Sequence, residues 1–421
     1  MTAATGAPCP YCGAPTYDEG GWPAWCPECE WGLDSTDANA EGDSRWRRWR
    51  RQRTQARVLA IHRRLLGSDL TADGRYRVLG SVVAVLVHLA DVGLLAVAGW
   101  LWTTSAFVFM KVVLSVLLLL IAWEVRPRLR TPKLDAAMTR GTAPASFAVL
   151  DQVARVTASR PADFIVVSAD VNASFGRNGW RGPRVLTIGL PLWNVLTDDQ
   201  RLALLGHESG HDVNGDIRSL IVVGTAIDAL RGWSWLLQPT GRKWGIGRSS
   251  FSVFAIAELL VPLLLLPLSV VMGAMAVGLS RLAARSGQRA EYQADDLAAV
   301  VAGSDAAMAM LDQLLVAERT LESMQITLRA DRQADVWTRQ RDLTASIPDS
   351  QRERWRRVAA RQLHRSDAGH PPTLLRVAML RSRPRRDAAL RASDLPLAAM
   401  TEELFTRRTA VERTLRDSAP D

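Results

Sequence analysis

The sequence predicts a mostly helical α+β fold, with a small β-sheet, several membrane-spanning helices and a metal ribbon ahead of them. Three observations carry this expectation. Two C-x-x-C knuckles lie close together, Cys9-Pro10-Tyr11-Cys12 and Cys26-Pro27-Glu28-Cys29. Two apolar runs, 78–102 and 105–123, stand between clusters of arginine, each of about the twenty residues that a bilayer requires. Further on, His207-Glu208-Ser209-Gly210-His211 falls inside a stretch of helical apolar periodicity.

The four cysteines are the only ones in the chain. Their paired spacing suits tetrahedral thiolate coordination of one structural zinc ion by Cys9, Cys12, Cys26 and Cys29. A segment of about thirty residues cannot bury a sufficient core unaided, so 1–33 reads as a zinc ribbon. Two disulfides or a redox dithiol are the alternatives, and no βαβ pattern surrounds either knuckle. The same segment has no apolar core, so no cleavable signal peptide is expected.

Residues 34–44 are small and acidic, a linker by composition. They lead into Arg45-Trp46-Arg47-Arg48-Trp49-Arg50-Arg51, the start of a basic segment that runs to residue 77. Arginine interleaved with tryptophan suits single-stranded nucleic acid or an anionic lipid surface. The apolar span that follows a dozen residues later favours lipid. The formal charge of +9 has the same explanation, because arginines flank the membrane hairpin on both outer sides: Arg75 and Arg77 before it, Arg126, Arg128 and Arg130 after. No nucleic-acid partner is therefore expected, and both flanks are assigned to the cytoplasm. Within the hairpin, 78–124, Asp91 and Lys111 are read as neutralising each other between packed helices.

After the hairpin, 145–159 reads as an amphipathic helix, and Phe164-Ile165-Val166-Val167 and Val185-Leu186-Thr187-Ile188 as short strands. A strand edge beside a catalytic helix is a ready site for an extended peptide. Residues 251–279 read as a further span, and 217–237 as a weaker one, interrupted by Arg218, Asp228 and Arg231. If both cross, His207 and the later charged motif return to the same side.

The H-E-x-x-H motif places two imidazoles one helical turn apart with a carboxylate beside them, a geometry suited to a catalytic zinc ion. Thr197 can cap that helix, and Asp198 and Asp199 occupy its first turn. About eighty residues on, Arg289-Ala290-Glu291-Tyr292-Gln293-Ala294-Asp295 offers Glu291 as the third ligand. Asp295, one turn later, can accept the outer N–H of a liganding histidine. A Ser-Gly pair inside a good helix former is a cost that asks for a packing or functional reason.

These motifs, together with Asp170-Val171-Asn172-Ala173-Ser174-Phe175-Gly176, His211-Asp212-Val213-Asn214-Gly215-Asp216 and His370-Pro371-Pro372-Thr373 followed by Arg376-Val377-Ala378-Met379-Leu380, resemble the membrane zinc metallopeptidases of the heat-shock protease HtpX and CAAX prenyl protease type. The resemblance covers about residues 130–385 and departs in the N-terminal segment and after about 385. It implies a gluzincin-type zinc endopeptidase, with His207, His211 and Glu291 as ligands and Glu208 as general base. It also implies that His370 donates to the oxyanion and that Asn172 and Ala173 line the substrate edge. An ordinary turn residue remains an equal reading of Asn172.

The expected organisation is a ribbon over 1–33, a linker and basic segment over 34–77, the hairpin over 78–124, a peptidase domain over 125–385 and a helical tail over 386–421. The tail, amphipathic over 395–417, reads as a surface or partner helix. The expected role is turnover of membrane proteins at the cell membrane, with the peptidase site and ribbon in the cytoplasm, protein or peptide substrates, and two zinc ions. A CAAX-type processing enzyme has the same catalytic residues, and an inert membrane-tethered binding protein is a reading from another class.

Overall fold

The computed structural model describes residues 6–33, 45–68, 70, 75–105, 107–126, 134–179, 182–213, 216–238, 253–361 and 371–418. The linker 34–44 and His370 lie outside the described residues. In chain order the elements are α1 (Arg45–Leu65), α2 (Arg75–Trp100), a 3-10 turn (Leu101–Thr103), α3 (Val108–Val125), α4 (Pro144–Thr157), β1 (Phe164–Ser168), β2 (Ala173–Arg177), β3 (Arg184–Gly189) and α5 (Leu190–Val195). They continue with α6 (Asp198–Val213), α7 (Asp216–Leu236), α8 (Val253–Ala302), α9 (Ser304–Ala330), α10 (Val336–Ser346), α11 (Asp349–Arg361), α12 (Thr373–Arg381), α13 (Leu397–Phe405) and α14 (Arg408–Asp417).

Two compact units share these elements: one holds 1–71, 132–216 and 288–421, the other 72–131 and 217–287. In the first, β3 is the middle strand, parallel to β1 and antiparallel to β2. Strand β2 is thus an edge, and it packs against α6. Helix α6 starts where the sequence indicates: Thr197 Oγ1 accepts from Gln200 N at 3.4 Å and Gln200 Oε1 accepts from Thr197 N at 3.0 Å, a reciprocal capping box. Its apolar face, Leu202, Leu204 and Leu205, joins one core with α4, β3, α9 and the C-terminal helices.

The tail is part of that core. Leu397, Met400, Leu404, Val411 and Leu415 are buried in it, so the amphipathic face read as a partner surface is covered by the chain itself. The fixing contact is Glu403, whose carboxylate accepts from Ala145 N at 2.9 Å and Ser146 N at 2.8 Å in the first turn of α4. An anion at a helix N-terminus answers unpaired N–H groups and the helix dipole together.

Helix α1, expected to lie on lipid, is held to protein over its C-terminal half. Val58 O accepts from Gln288 Nε2 at 3.1 Å, and His62 is buried with Nδ1 3.0 Å from the Tyr292 hydroxyl. Gln288 Nε2 also donates to that hydroxyl at 2.9 Å, and burial lowers the imidazole pKa below its ordinary value. Nearer the N-terminus Trp49 is 47% exposed, with Arg53 stacked 4.1 Å from its ring centroid.

Three helices among the described residues are long and apolar enough to cross a membrane: Tyr76–Thr103, Val108–Val125 and Leu265–Ala302. Their exposed Leu86, Leu89, Leu117 and Leu120 form a surface that water would not tolerate. Helix α7 is not one of the three. The pairing expected of Asp91 and Lys111 is absent: Asp91 accepts from Trp233 Nε1 at 3.1 Å, and Lys111 Nζ donates to Thr104 O. Asp91 is thus bonded to a facing helix, and Lys111 to the turn that precedes its own.

Candidate metal centre

The Ser-Gly pair in α6 has a packing reason. A Cβ on Gly210 would lie 2.8 Å from Ala294 Cα, and one on Gly206 3.0 Å from Val301 Cβ. Real side chains do not approach backbone as closely as 2.8 Å, so at Gly210 α6 and the 288–302 part of α8 cross at a separation only glycine permits, with a tight contact at Gly206 as well. That crossing brings Glu291 to the histidines.

His207 Nε2 stands 3.6 Å from Glu291 Oε2, and His211 Nε2 3.5 Å from Glu291 Oε1. Ligands about 2.0–2.1 Å from a tetrahedral ion are about 3.3–3.4 Å apart, so this set fits zinc with little adjustment. The two imidazole planes are nearly perpendicular, at 87°. Glu291 is 3% exposed, and His207 is more buried than His211, so the centre opens on the His211 side. Glu208 is buried beside both histidines on α6.

Asp295 stands 3.1 Å from the other nitrogen of His207, Nδ1, where its carboxylate can fix the tautomer that leaves Nε2 free for metal. Asp295 is fully buried, and its counterion is Arg376, a residue to which the sequence reading gave no role. Arg376 Nε donates to Asp295 Oδ2 at 2.9 Å and Nη2 to Oδ1 at 2.6 Å. Its Nη1 lies 3.4 Å from Glu291 Oε2, and Nη2 lies 3.2 Å from both ring nitrogens of His207. Burial alone raises the carboxyl pKa of Asp295 and lowers that of the Arg376 guanidinium; their contact reverses both shifts, so both stay charged. The available signal was a lone arginine in the apolar run Leu374 to Leu380, a position that requires a buried partner.

Asn172 and Ala173 stand at the start of β2. Asn172 Oδ1 accepts from Ala173 N at 2.9 Å, and its carbonyl accepts from Gly189 N at 2.8 Å, so Asn172 shapes the entry to the edge strand.

The four cysteines gather separately. Cys9 and Cys29 sulfurs are 3.5 Å apart, as are those of Cys12 and Cys26, and all four lie within 4.8 Å of one another. Thiolates at about 2.3 Å from a tetrahedral ion are about 3.8 Å apart, so the set fits zinc, and all four cysteines are free rather than disulfide-bonded. The knuckles repeat one turn: Gly13 N donates to Cys9 O at 2.9 Å and Glu30 N to Cys26 O at 3.0 Å. Burial raises the Cys9 thiol, but N–H groups of Tyr11 and Cys12 and the neighbouring sulfurs bring it down to about 7, while the same shared sulfur contacts push Cys12 and Cys29 up.

The model of peptidase family M48 matches residues 147–384, the stretch that contains α6, Glu291, Asp295 and Arg376. The chain belongs to peptidase family M48. No curated protein and no solved structure matches it. M48 membership makes the chain a metallopeptidase, a hydrolase of peptide bonds in proteins or peptides, and the His207, His211 and Glu291 group is its candidate zinc site.

Proposed function

We propose that the protein is a membrane-bound zinc endopeptidase of the HtpX type that hydrolyses membrane proteins at the cytoplasmic face. The observation that supports this reading most is the juxtaposition of His207, His211 and Glu291, from two helices, with Glu208 buried on the same α6. A zinc ion held by these three residues would supply Lewis acidity, drawing the pKa of water down to about 7 and polarising the scissile carbonyl. The Glu208 carboxylate takes the proton from the attacking water and delivers it to the leaving amide nitrogen, which departs as an amine. Asp295, held by Arg376, keeps His207 in its metal-binding tautomer. His370, by resemblance, donates to the oxyanion. The substrate lies extended along β2, beginning at Asn172 and Ala173.

Membrane substrates are favoured by the three apolar helices, and a cytoplasmic site by the arginine flanks of the hairpin and by thiols suited to a reducing compartment. Comparing the membrane proteomes of cells with active and Glu208→Gln protein tests this role. Membrane proteins are expected to accumulate with the variant. Accumulation of prenylated precursors alone would assign the CAAX-type activity instead.

A further inference from the structure

The ribbon is built against α11. Its small apolar cluster, Tyr17, Trp25 and Leu33, is completed by Val358 from that helix. Trp22 meets Trp355 edge to face at 6.0 Å, and the Arg357 guanidinium lies 5.1 Å from the Trp25 ring centroid. Backbone carbonyls of the knuckle region receive the helix: Pro23 O from Gln351 Nε2 at 3.1 Å, Pro27 O from Arg357 Nη1 at 2.6 Å, Gly32 O from Arg354 Nη2 at 3.1 Å.

Glu30 marks the contact as more than incidental. It sits at φ 60°, the left-handed position that Gly13 fills in the other knuckle. A glutamate there is strained. Its carboxylate explains it, standing 3.8 Å from Arg357 Nη1 and accepting from Arg361 Nε at 3.2 Å.

Helix α11 in turn depends on its neighbours. It carries Arg352, Arg354, Arg356, Arg357 and Arg361 in 13 residues, with Glu353 pairing only Arg356 and Arg357 within the helix, and at this length it is marginal alone. Arg352 and Arg356 turn to α9, reaching Gln313 at 3.2 Å and Asp312 at 3.0 Å, while Arg354, Arg357 and Arg361 turn to the ribbon. Helix α12, which carries Arg376, packs on both α9 and α11.

From this chain of contacts we propose that the ribbon is a metal-dependent positioning element of the peptidase. Thiolate-bound zinc fixes the knuckle carbonyls, these fix α11, and α11 fixes α12 so that Arg376 grips Asp295 and orients His207. Loss of the ribbon's metal loosens that grip and lowers turnover, although no ribbon residue touches substrate. This rests on the peptidase reading above.

Two variants of the full-length chain test it. Cys9→Ser/Cys12→Ser removes the ribbon's metal, and Arg354→Glu/Arg357→Glu breaks docking while leaving all four cysteines. Readouts are metal content, hydrogen exchange over 371–381, and kcat and KM on a peptide. The docking variant is expected to keep both metals, exchange faster over 371–381, and lose about tenfold to a hundredfold in kcat with KM within about twofold, as for a misplaced catalytic group. Exchange over 371–381 and kcat both unchanged in a docking variant that holds both metals would overturn the proposal. If wild-type protein shows no turnover that Glu208→Gln abolishes, the peptidase reading fails, and the exchange measurement alone decides whether the ribbon positions α12.

Discussion

At Gly210 a single missing methyl group sets the distance between the two helices of the metal centre. Gly210→Ala would place a carbon 2.8 Å from Ala294 Cα, so the helices must separate and Glu291 must leave the histidines. The variant is expected to lose the peptidase metal and keep the ribbon metal, read as one zinc rather than two per chain. Gly224→Ala, where nothing lies within 4 Å, is the control and should keep both. Arg376→Ala removes the counterion from a fully buried carboxylate, a loss expected to cost about 3–5 kcal/mol in unfolding free energy. Arg376→Lys keeps the charge but not the two-pronged contact and should fall between. The histidines and Glu291 were legible from sequence because metal chemistry constrains both residue type and spacing. Arg376 was not, because nothing in the chain's local pattern says which buried acid, 81 residues upstream, it would meet.

Helices and strands were legible where a period or a cap announced them, as with Thr197 and Gln200 at the start of α6. What local pattern could not reveal was which face meets which partner: α1 and the tail both read as surface helices, and tertiary contacts claimed them. Each contact has its own test. Burial lowers the pKa of His62, which stays neutral in the fold, so its contribution to stability is complete above the unfolded value of about 6.5 and is lost as pH falls through the lower folded value. The thermal midpoint should therefore drop more steeply below pH 6.5 in wild type than in His62→Gln, which cannot take up a proton; parallel curves would exclude His62 as the source. Glu403→Ala strips three hydrogen bonds from the first turn of α4, Ser146 Oγ included, and is expected to cost about 1–3 kcal/mol, measurable by denaturant unfolding.

Across the whole molecule, the metal centre constrains the path through the membrane. His211 and Glu291 are 3.5 Å apart, so the chain between them crosses an even number of times. One of the three strongly apolar helices, Leu265–Ala302, begins in that interval. If it crosses, α7 is the available return despite Asp228 and Arg231, which pair at 3.5 Å and so reduce the cost of burial in lipid. Single-cysteine labelling should find Thr104 and Gly241, the latter outside the described residues, reachable from outside the cell, and Ser304 only after permeabilisation. A Gly241 site that labels only from inside would mean that neither helix crosses. Hydropathy alone could not read this count, because α7 is too polar to stand out, whereas a shared ligand set fixes its parity. The central claim is the division of labour on α6, where His207 and His211 hold metal and Glu208 moves the proton. Its most direct test is purified Glu208→Gln protein, assayed for zinc content and peptide hydrolysis together. It is expected to hold two zinc ions per chain and to lose turnover by about a hundredfold to ten-thousandfold. Near-normal hydrolysis by that variant would contradict the account.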